Sequence, residues 1–154
     1  MIGGGEFKSN NASLYECHEL DYSMGNKAIL NKRANLVYPR HGHSVCAISD
    51  SFMVVTGTRK DVNRSAHRVE MYDIEHNKWS ELPMMREGRY YHASCSFNTE
   101  WIYVFCGISI LKQHHHLFSI ERISIKAFFD GVATMWEPII TTPQVDMFGA
   151  LTPR

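Results

Sequence analysis

Short apolar runs separated by polar turn residues follow one another along the chain. Residues 52–57 and 101–107 are two such runs, and each ends in glycine. The polar segments just before them, residues 49–51 and 98–100, are typical of hairpin turns. No long segment shows the helical spacing of apolar residues. The pattern therefore predicts an all-β protein built from short antiparallel strands.

The runs belong to a repeating unit, which becomes visible when the chain is aligned with itself. Residues 40–46 match residues 89–95 in an arginine, a histidine and a cysteine, and Gly57 matches Gly107, which gives a period close to 50 residues. Later in each of these two units, a strand-like segment precedes a tryptophan. Four short strands per unit at this period are typical of a β-propeller blade.

The unit resembles the kelch repeat in its Arg-x-x-His start, its apolar strand that ends in glycine, and its later tyrosine and tryptophan. The positions that carry this resemblance are Gly3, Gly4, Gly57, Tyr72, Trp79, Gly107 and Trp136. The chain departs from the pattern in three ways: only the first unit keeps a pair of glycines, that unit lacks its tryptophan, and Ile123 replaces the tyrosine in the third. The Gly-His and Trp-Asp pairs of WD40 repeats are absent, so kelch is the better match.

The resemblance implies an all-β fold of kelch-type β-propeller blades, each with four antiparallel strands, in an incomplete propeller. It divides the chain into a partial blade with strands two to four, two whole blades, and the start of a further blade or a tail, over residues 1–38, 39–83, 84–139 and 140–154. Propellers close with about four to eight blades, so we expect a fragment of a longer protein rather than a chain completed by a second one. Its open strand edges are expected to favour self-association.

The repeated glycines and tryptophans have structural explanations. A glycine at the end of the second strand allows a sharp turn and a close approach of neighbouring backbone. Trp79 and Trp136 are expected to pack between adjacent blades, with each indole N–H bonded to a polar partner.

Composition narrows the range of partners and locations. The chain has 16 Lys and Arg residues against 16 Asp and Glu residues, so its formal net charge is zero. This balance argues against a nucleic-acid partner, because nucleic-acid-binding proteins normally carry a basic surface. No apolar run reaches the roughly 20 residues that cross a bilayer, so no membrane partner is expected. The four cysteines form no Cys-x-x-Cys pair, which favours buried thiols in a reducing compartment and a cytoplasmic location.

Nine histidines raise the question of a metal site, above all at residues 114–116. Three consecutive histidines in an extended segment cannot all face one ion, because alternate side chains point to opposite sides. A polar loop is therefore the preferred interpretation. Phosphate-loop, dinucleotide-binding and nucleophile-elbow motifs are absent. The sequence predicts no catalytic residue, cofactor or metal, and the alternative is a propeller enzyme or metal-binding protein that uses the histidine-rich loops.

Binding to a partner protein is the leading functional prediction. In a four-stranded antiparallel blade, the connections after strands two and four emerge on one face. The loops on this face carry Arg40, Arg59, Lys60, Arg64, Arg89, Tyr90, Tyr91 and His115, and the opposite turns carry Asp50, Glu75 and Glu100. This distribution predicts an arginine-lined mouth that binds an acidic or phosphorylated peptide, with tyrosines as anchors. The kelch resemblance implies an interaction module, either a substrate-recognition part of a ubiquitin ligase or a scaffold.

Overall fold

The structure is a computed structural model that describes residues 15–23, 25, 27–59, 64–109, 115–132 and 134–140. Gly3, Gly4, Lys60 and the segment 141–154, which the sequence analysis singled out, lie outside these residues. In the described part, antiparallel strands dominate and the helical segments are short. The prediction of an all-β protein is thereby confirmed. No described helix is long and apolar enough to cross a membrane.

The first sheet lies within residues 1–38, for which the sequence predicts a partial blade. It has two antiparallel strands, β1 (His18–Asp21) and β2 (Ile29–Lys32). Leu20 lies opposite Leu30 in their register, and both side chains are exposed. This part of the sheet therefore presents apolar side chains that its described neighbours do not cover.

The second blade is a four-stranded antiparallel sheet whose strands are ordered as in the chain. Its strands are β3 (Ser44–Ala47), β4 (Phe52–Thr56), β5 (Val69–Asp73) and β6 (Lys78–Leu82). Val55 lies opposite Val45 on one side and Glu70 on the other. A short 3-10 helix, Ser65–His67, lies in the connection between β4 and β5.

The third blade repeats this order and adds a small second sheet and a helix. The elements are β7 (Arg89–Tyr90), β8 (Ala93–Phe97), β9 (Trp101–Phe105), β10 (Ile108–Ser109), β11 (Ile120–Ser124), α1 (Ile125–Phe129) and β12 (Glu137–Ile140). Strands β8, β9, β11 and β12 form the blade, and β7 pairs with β10 beside it. Helix α1, which the sequence pattern does not predict, occupies the longer connection before the last strand.

Alternating side chains place the main core between the second and third blades. In β9, Ile102 and Val104 are fully buried, whereas Trp101, Tyr103 and Phe105 alternate with them and stay partly exposed. The core between these blades includes Val54, Val69, Met71, Leu82, Ile102, Val104, Ile123, Ile125 and Trp136. Burial of each such side chain stabilises the fold by on the order of 1.5–3 kcal/mol. A second cluster joins the first sheet to the second blade and contains Cys17, Leu36, Val55, Tyr72 and Trp79.

Polar contacts also cross from the second blade to the third. Ser44 and Ser94 share a hydrogen bond of 2.7 Å between their hydroxyl groups, and Ser96 Oγ donates to Ala47 O at 2.6 Å. Both bonds join the first strands of the two blades, β3 and β8. The two sheets are therefore held in register by hydrogen bonds as well as by apolar packing.

Candidate functional site

Loops at one end of the blades come together in a surface that we call the loop face. It consists of residues 39–43, 57–59, 64–68, 86–92, 106–109 and 115–119. Hydrogen bonds join these loops: Arg59 N donates to His41 O at 2.9 Å, and Tyr91 N donates to Gly42 O at 2.7 Å. The opposite end, the turn face, contains the hairpin turns at residues 48–51, 74–77 and 98–100. The two faces lie at opposite ends of the blades because successive strands run in opposite directions.

Arg40 lies below the loop face with 0% of its side chain exposed. Its Nε and Nη2 donate to Glu70 Oε1 at 2.9 and 2.7 Å. Its Nη1 donates to the backbone oxygens of Gly57 and Arg68, both at 2.9 Å. Burial lowers the pKa of the Arg40 guanidinium, and the Glu70 carboxylate opposes this shift. The prediction that Arg40 lines an open mouth is contradicted by this burial, because its donors are used inside the protein.

Arg89 repeats the arrangement in the third blade and is likewise fully buried. Its Nη2 donates to Glu121 Oε1 at 2.6 Å and to Ser119 Oγ at 3.1 Å. Its Nη1 donates to the backbone oxygens of Cys106 at 2.7 Å and Ser119 at 3.2 Å. The predicted exposure of Arg89 is therefore wrong for the same physical reason. A buried guanidinium requires a carboxylate partner, and each blade supplies one.

Glu70 and Glu121 are central to these arrangements, and the sequence analysis did not single them out. Each carboxylate also accepts two backbone N–H groups from the segment just before its arginine. The donors are Val37 and Tyr38 for Glu70, and Arg86 and Glu87 for Glu121. The two glutamates hold equivalent positions in the repeat, in the third strand of each blade. That shared position is the signal in the sequence that could have identified them.

The two adjacent tyrosines on the loop face have different environments. Tyr90 is 4% exposed, whereas Tyr91 is 60% exposed, and their rings meet edge-on with centroids 5.0 Å apart. The Tyr91 ring lies against Gly42, where an added Cβ would come within 2.8 Å of Cε1. The burial of Tyr90 contradicts its predicted role as an anchor. Tyr91 keeps an accessible ring.

Three other predicted side chains are exposed on the loop face: Arg59, Arg64 and His115. Arg86 is exposed there as well, in the segment that leads into β7, and the sequence analysis did not assign it to this face. No described carboxylate pairs with Arg59, Arg64 or Arg86. Within the described part of the chain, their guanidinium groups therefore face solvent rather than a carboxylate.

The turn face carries mostly charges of the opposite sign, although the exposed Lys78 also lies there, at the start of β6. Asp50, Glu75 and Glu100 are all exposed in its hairpin turns. Lys126 also lies at this end but is paired with Asp130 at 2.6 Å. Exposed guanidinium groups at one end and exposed carboxylates at the other make the described part of the protein electrically asymmetric, although the whole chain has zero net charge.

Gly57 and Gly107 allow the close approach between loops that the sequence analysis expected of them. Gly57 has φ +68°, and a Cβ there would collide with the backbone oxygen of Arg89. Gly107 has φ +99°, and a Cβ there would lie 2.9 Å from Tyr90 O and 2.7 Å from His92 Cβ. Any side chain at either position would push the loop face apart, so both positions favour glycine.

Trp79 and Trp136 lie at equivalent places between blades. Trp79 Nε1 donates to Ala34 O at 2.9 Å, and Trp136 Nε1 donates to Pro83 O at 2.8 Å. Trp79 also packs against Tyr72, with ring centroids 4.7 Å apart. Each indole therefore ties one blade, in or directly before its last strand, to the chain segment that arrives from the blade before it.

His92 lies beneath the loop face between the second and third blades. Its Nε2 is 2.7 Å from Thr56 Oγ1. Burial lowers the pKa of His92 to about 3, and the positive charge of Arg89 contributes to this shift. The imidazole is therefore neutral at physiological pH, and a neutral ring suits this partly buried position beside two arginines.

The histidines do not form a metal centre among the described residues. In that part of the chain, no group of three or more His, Cys, Asp and Glu side chains could hold a metal ion. His115 and His116 are exposed, and His114 lies outside the described residues. A separate cleft of about 520 Å³ lies between β1 and the second blade. Most of its lining is apolar, including Leu20, Val45 and Met53, and none of the predicted partner-binding residues that the structure describes lines it.

Comparison with known proteins agrees with this architecture. Residues 39–86 match the family model of the kelch motif, and no curated protein matches the chain. The solved structure of YjhT is similar over 92% of this chain, with 13% sequence identity and a TM-score of 0.66. The match covers 51% of YjhT, so the chain spans about half the length of that protein. Residues 39–86 therefore form a kelch motif, and the chain has the fold of β-propeller blades in an incomplete propeller.

Proposed function

We propose that the protein is a non-catalytic interaction module whose loop face binds an acidic segment of a partner protein. Kelch repeats generally mediate protein–protein interactions, which supports the general class. The observation that carries the specific proposal is the exposure of Arg59, Arg64 and Arg86 on one face, without a described carboxylate partner. The two arginines that hold the fold together, Arg40 and Arg89, are excluded from direct contact by their burial.

The chemistry of these side chains favours an anionic ligand. A guanidinium group binds carboxylate or phosphate oxygens through paired N–H donors, and such charge-assisted bonds are among the stronger ones in proteins. Tyr91, with 60% of its surface accessible, offers a rigid ring that can contact apolar atoms between the anionic groups. His115 adds a further polar side chain at the edge of this surface.

The charge asymmetry supports the same proposal through association kinetics. A face with exposed cations attracts an acidic segment before contact, and the acidic turn face repels it. Binding should therefore weaken as salt concentration rises, because exposed charges are screened over about 8–10 Å at physiological ionic strength. A role as the substrate-recognition part of a ubiquitin ligase or as a scaffold would build on this binding.

The proposal can be tested by fluorescence anisotropy with a labelled Glu-rich peptide. A peptide with Gln in place of Glu measures non-ionic binding, and one with phosphoserine in place of Glu distinguishes the source of the negative charge. We expect the Arg59→Ala/Arg64→Ala variant to bind the Glu-rich peptide about tenfold or more weakly than the unmodified chain.

The matched control is Lys78→Ala/Lys126→Ala, which removes the same amount of positive charge elsewhere on the surface. This control should bind the peptide as the unmodified chain does. Equal weakening in both double variants would show a general charge effect and contradict binding at the loop face. Undiminished binding in the arginine variant would contradict the proposal directly.

A further inference from the structure

We infer that Arg40 and Arg89 are positioning residues, each of which holds together the two ends of one loop of the loop face. In the second blade the loop runs from Gly57 to Arg68, and in the third blade it runs from Cys106 to Ser119. We call the two arrangements the Arg40 clamp and the Arg89 clamp. The inference depends on the proposed function only for its consequence, that the clamped loops present the binding residues.

The Arg40 clamp consists of Arg40, Glu70 and the backbone oxygens of Gly57 and Arg68. Arg40 Nη1 donates to both oxygens at 2.9 Å, so a single nitrogen joins the first and last residues of the loop. Gly57 N donates to Arg68 O at 3.3 Å between the same two residues. Glu70 fixes the other edge of the guanidinium group through Nε and Nη2.

The Arg89 clamp is similar, except that Arg89 Nε has no hydrogen-bond partner among the described residues and Nη2 also donates to Ser119 Oγ. Arg89 Nη1 donates to Cys106 O at 2.7 Å and to Ser119 O at 3.2 Å, and Cys106 N donates to Ser119 O at 3.0 Å. Glu121 takes the place of Glu70. The two blades share this arrangement although their loop sequences differ. The arrangement therefore depends on the backbone at the loop ends and not on a particular loop sequence.

Each clamp also joins its loop to the segment that precedes the first strand. Glu70 accepts N–H groups from Val37 and Tyr38, just before Arg40 in the chain. Arg59 N donates to His41 O directly after the arginine. One carboxylate and one guanidinium group therefore fix the start of the blade against the base of the loop that carries Arg59 and Arg64. A shift of Arg40 would change where those two exposed cations lie.

Each clamp serves as the control for the other, because loss of one clamp should affect only its own loop. A general loss of stability would affect both loops. Arg40→Lys and Arg89→Lys each keep the positive charge but lose the paired donors. Amide hydrogen exchange in the 154-residue chain would be followed at Gly57, Arg59 and Arg68 for the first loop, and at Cys106, Ser109 and Leu117 for the second. All six amides donate backbone hydrogen bonds within or beside the loops.

We expect Arg40→Lys to accelerate exchange about tenfold or more in the first loop only, and Arg89→Lys to do so in the second loop only. Glu70→Gln and Glu121→Gln, which retain an acceptor oxygen, serve as milder variants if a lysine variant fails to fold, and the same crossed result is expected. Equal acceleration in both loops, or none, would overturn the inference. Exchange requires no peptide, so the clamps and the proposed binding can fail separately: Arg59→Ala/Arg64→Ala should leave exchange at Gly57 and Arg68 unchanged.

Discussion

Thr56 Oγ1 and His92 Nε2 lie 2.7 Å apart and join the second strand of one blade to the segment before the first strand of the next. Burial, together with the nearby charge of Arg89 and with His43 and Arg40, lowers the pKa of His92 to about 3. An unperturbed histidine in the unfolded chain has a pKa of about 6.5. Between these two pH values the unfolded chain holds a proton that the folded protein does not.

The free energy of unfolding should therefore fall as the pH is lowered from about 6.5 towards 3, while this destabilisation is absent above 6.5. By linkage, protonation of His92 in the unfolded chain should lower the free energy of unfolding by about 2 kcal/mol between pH 7 and pH 5. Urea unfolding of the unmodified chain and of His92→Gln at both pH values checks this, because all other titrating groups are shared. An equal loss of stability in the two proteins would contradict the neutral, buried state of His92.

The buried Arg40–Glu70 ion pair predicts that replacing a buried arginine costs much more stability than replacing an exposed one. Arg40→Ala leaves the Glu70 carboxylate buried without its counter-charge, so we expect a loss of about 3–5 kcal/mol in the free energy of unfolding. Arg59→Ala removes an exposed side chain and should change stability by less than about 0.5 kcal/mol. Denaturant unfolding measures both, and comparable small effects would mean that Arg40 is not buried as described.

Removal of an interblade tryptophan should be similarly costly. Trp79→Ala is expected to destabilise the protein by about 3–5 kcal/mol, because the indole fills the space between the first sheet and the second blade. Trp79→Phe retains most of the apolar contact but loses the hydrogen bond to Ala34 O, at a cost of about 1 kcal/mol for that bond alone. A thermal or urea unfolding series that ranks these two variants in the opposite order would argue against this packing.

Two glycines with positive φ allow the stability cost of backbone strain to be measured separately from that of a steric collision. Gly25 has φ +86°, and among the described residues nothing lies within 4 Å of an added Cβ, whereas a Cβ on Gly57 would collide with Arg89 O. Gly25→Ala should cost about 1–2 kcal/mol from strain alone. Gly57→Ala adds the collision and should cost clearly more in the same unfolding measurement. Equal costs would show that the loops can separate without penalty.

The fold was largely predictable because its signals are local. Alternating residues in β9 and the repeated positions of Trp79 and Trp136 follow from two-residue periodicity and from self-alignment. The burial of Arg40 was not predictable from local patterns, because it depends on Glu70, which lies 30 residues further along the chain. A loop arginine at the start of a strand looks the same in the sequence whether it faces solvent or a buried carboxylate.

The helix α1 was missed for a related reason. Ser124 closes its first turn by accepting a hydrogen bond from Ala127 N at 3.1 Å, and Phe129 packs on Phe52 of the second blade with ring centroids 5.1 Å apart. Five residues are too few to give a helical period in the sequence, so tertiary packing is needed to stabilise the helix.

The expected self-association through open blade edges stays a prediction.

The central claim is that an acidic segment binds the loop face through its exposed cations. Nuclear magnetic resonance of the isotope-labelled chain, titrated with the Glu-rich peptide, tests this most directly because it locates the contact. We expect the largest shift changes at Arg59, Arg64, Tyr91 and His115, with little change at Asp50, Glu75 and Glu100. Shift changes concentrated on the turn face, or spread evenly over both faces, would contradict the account.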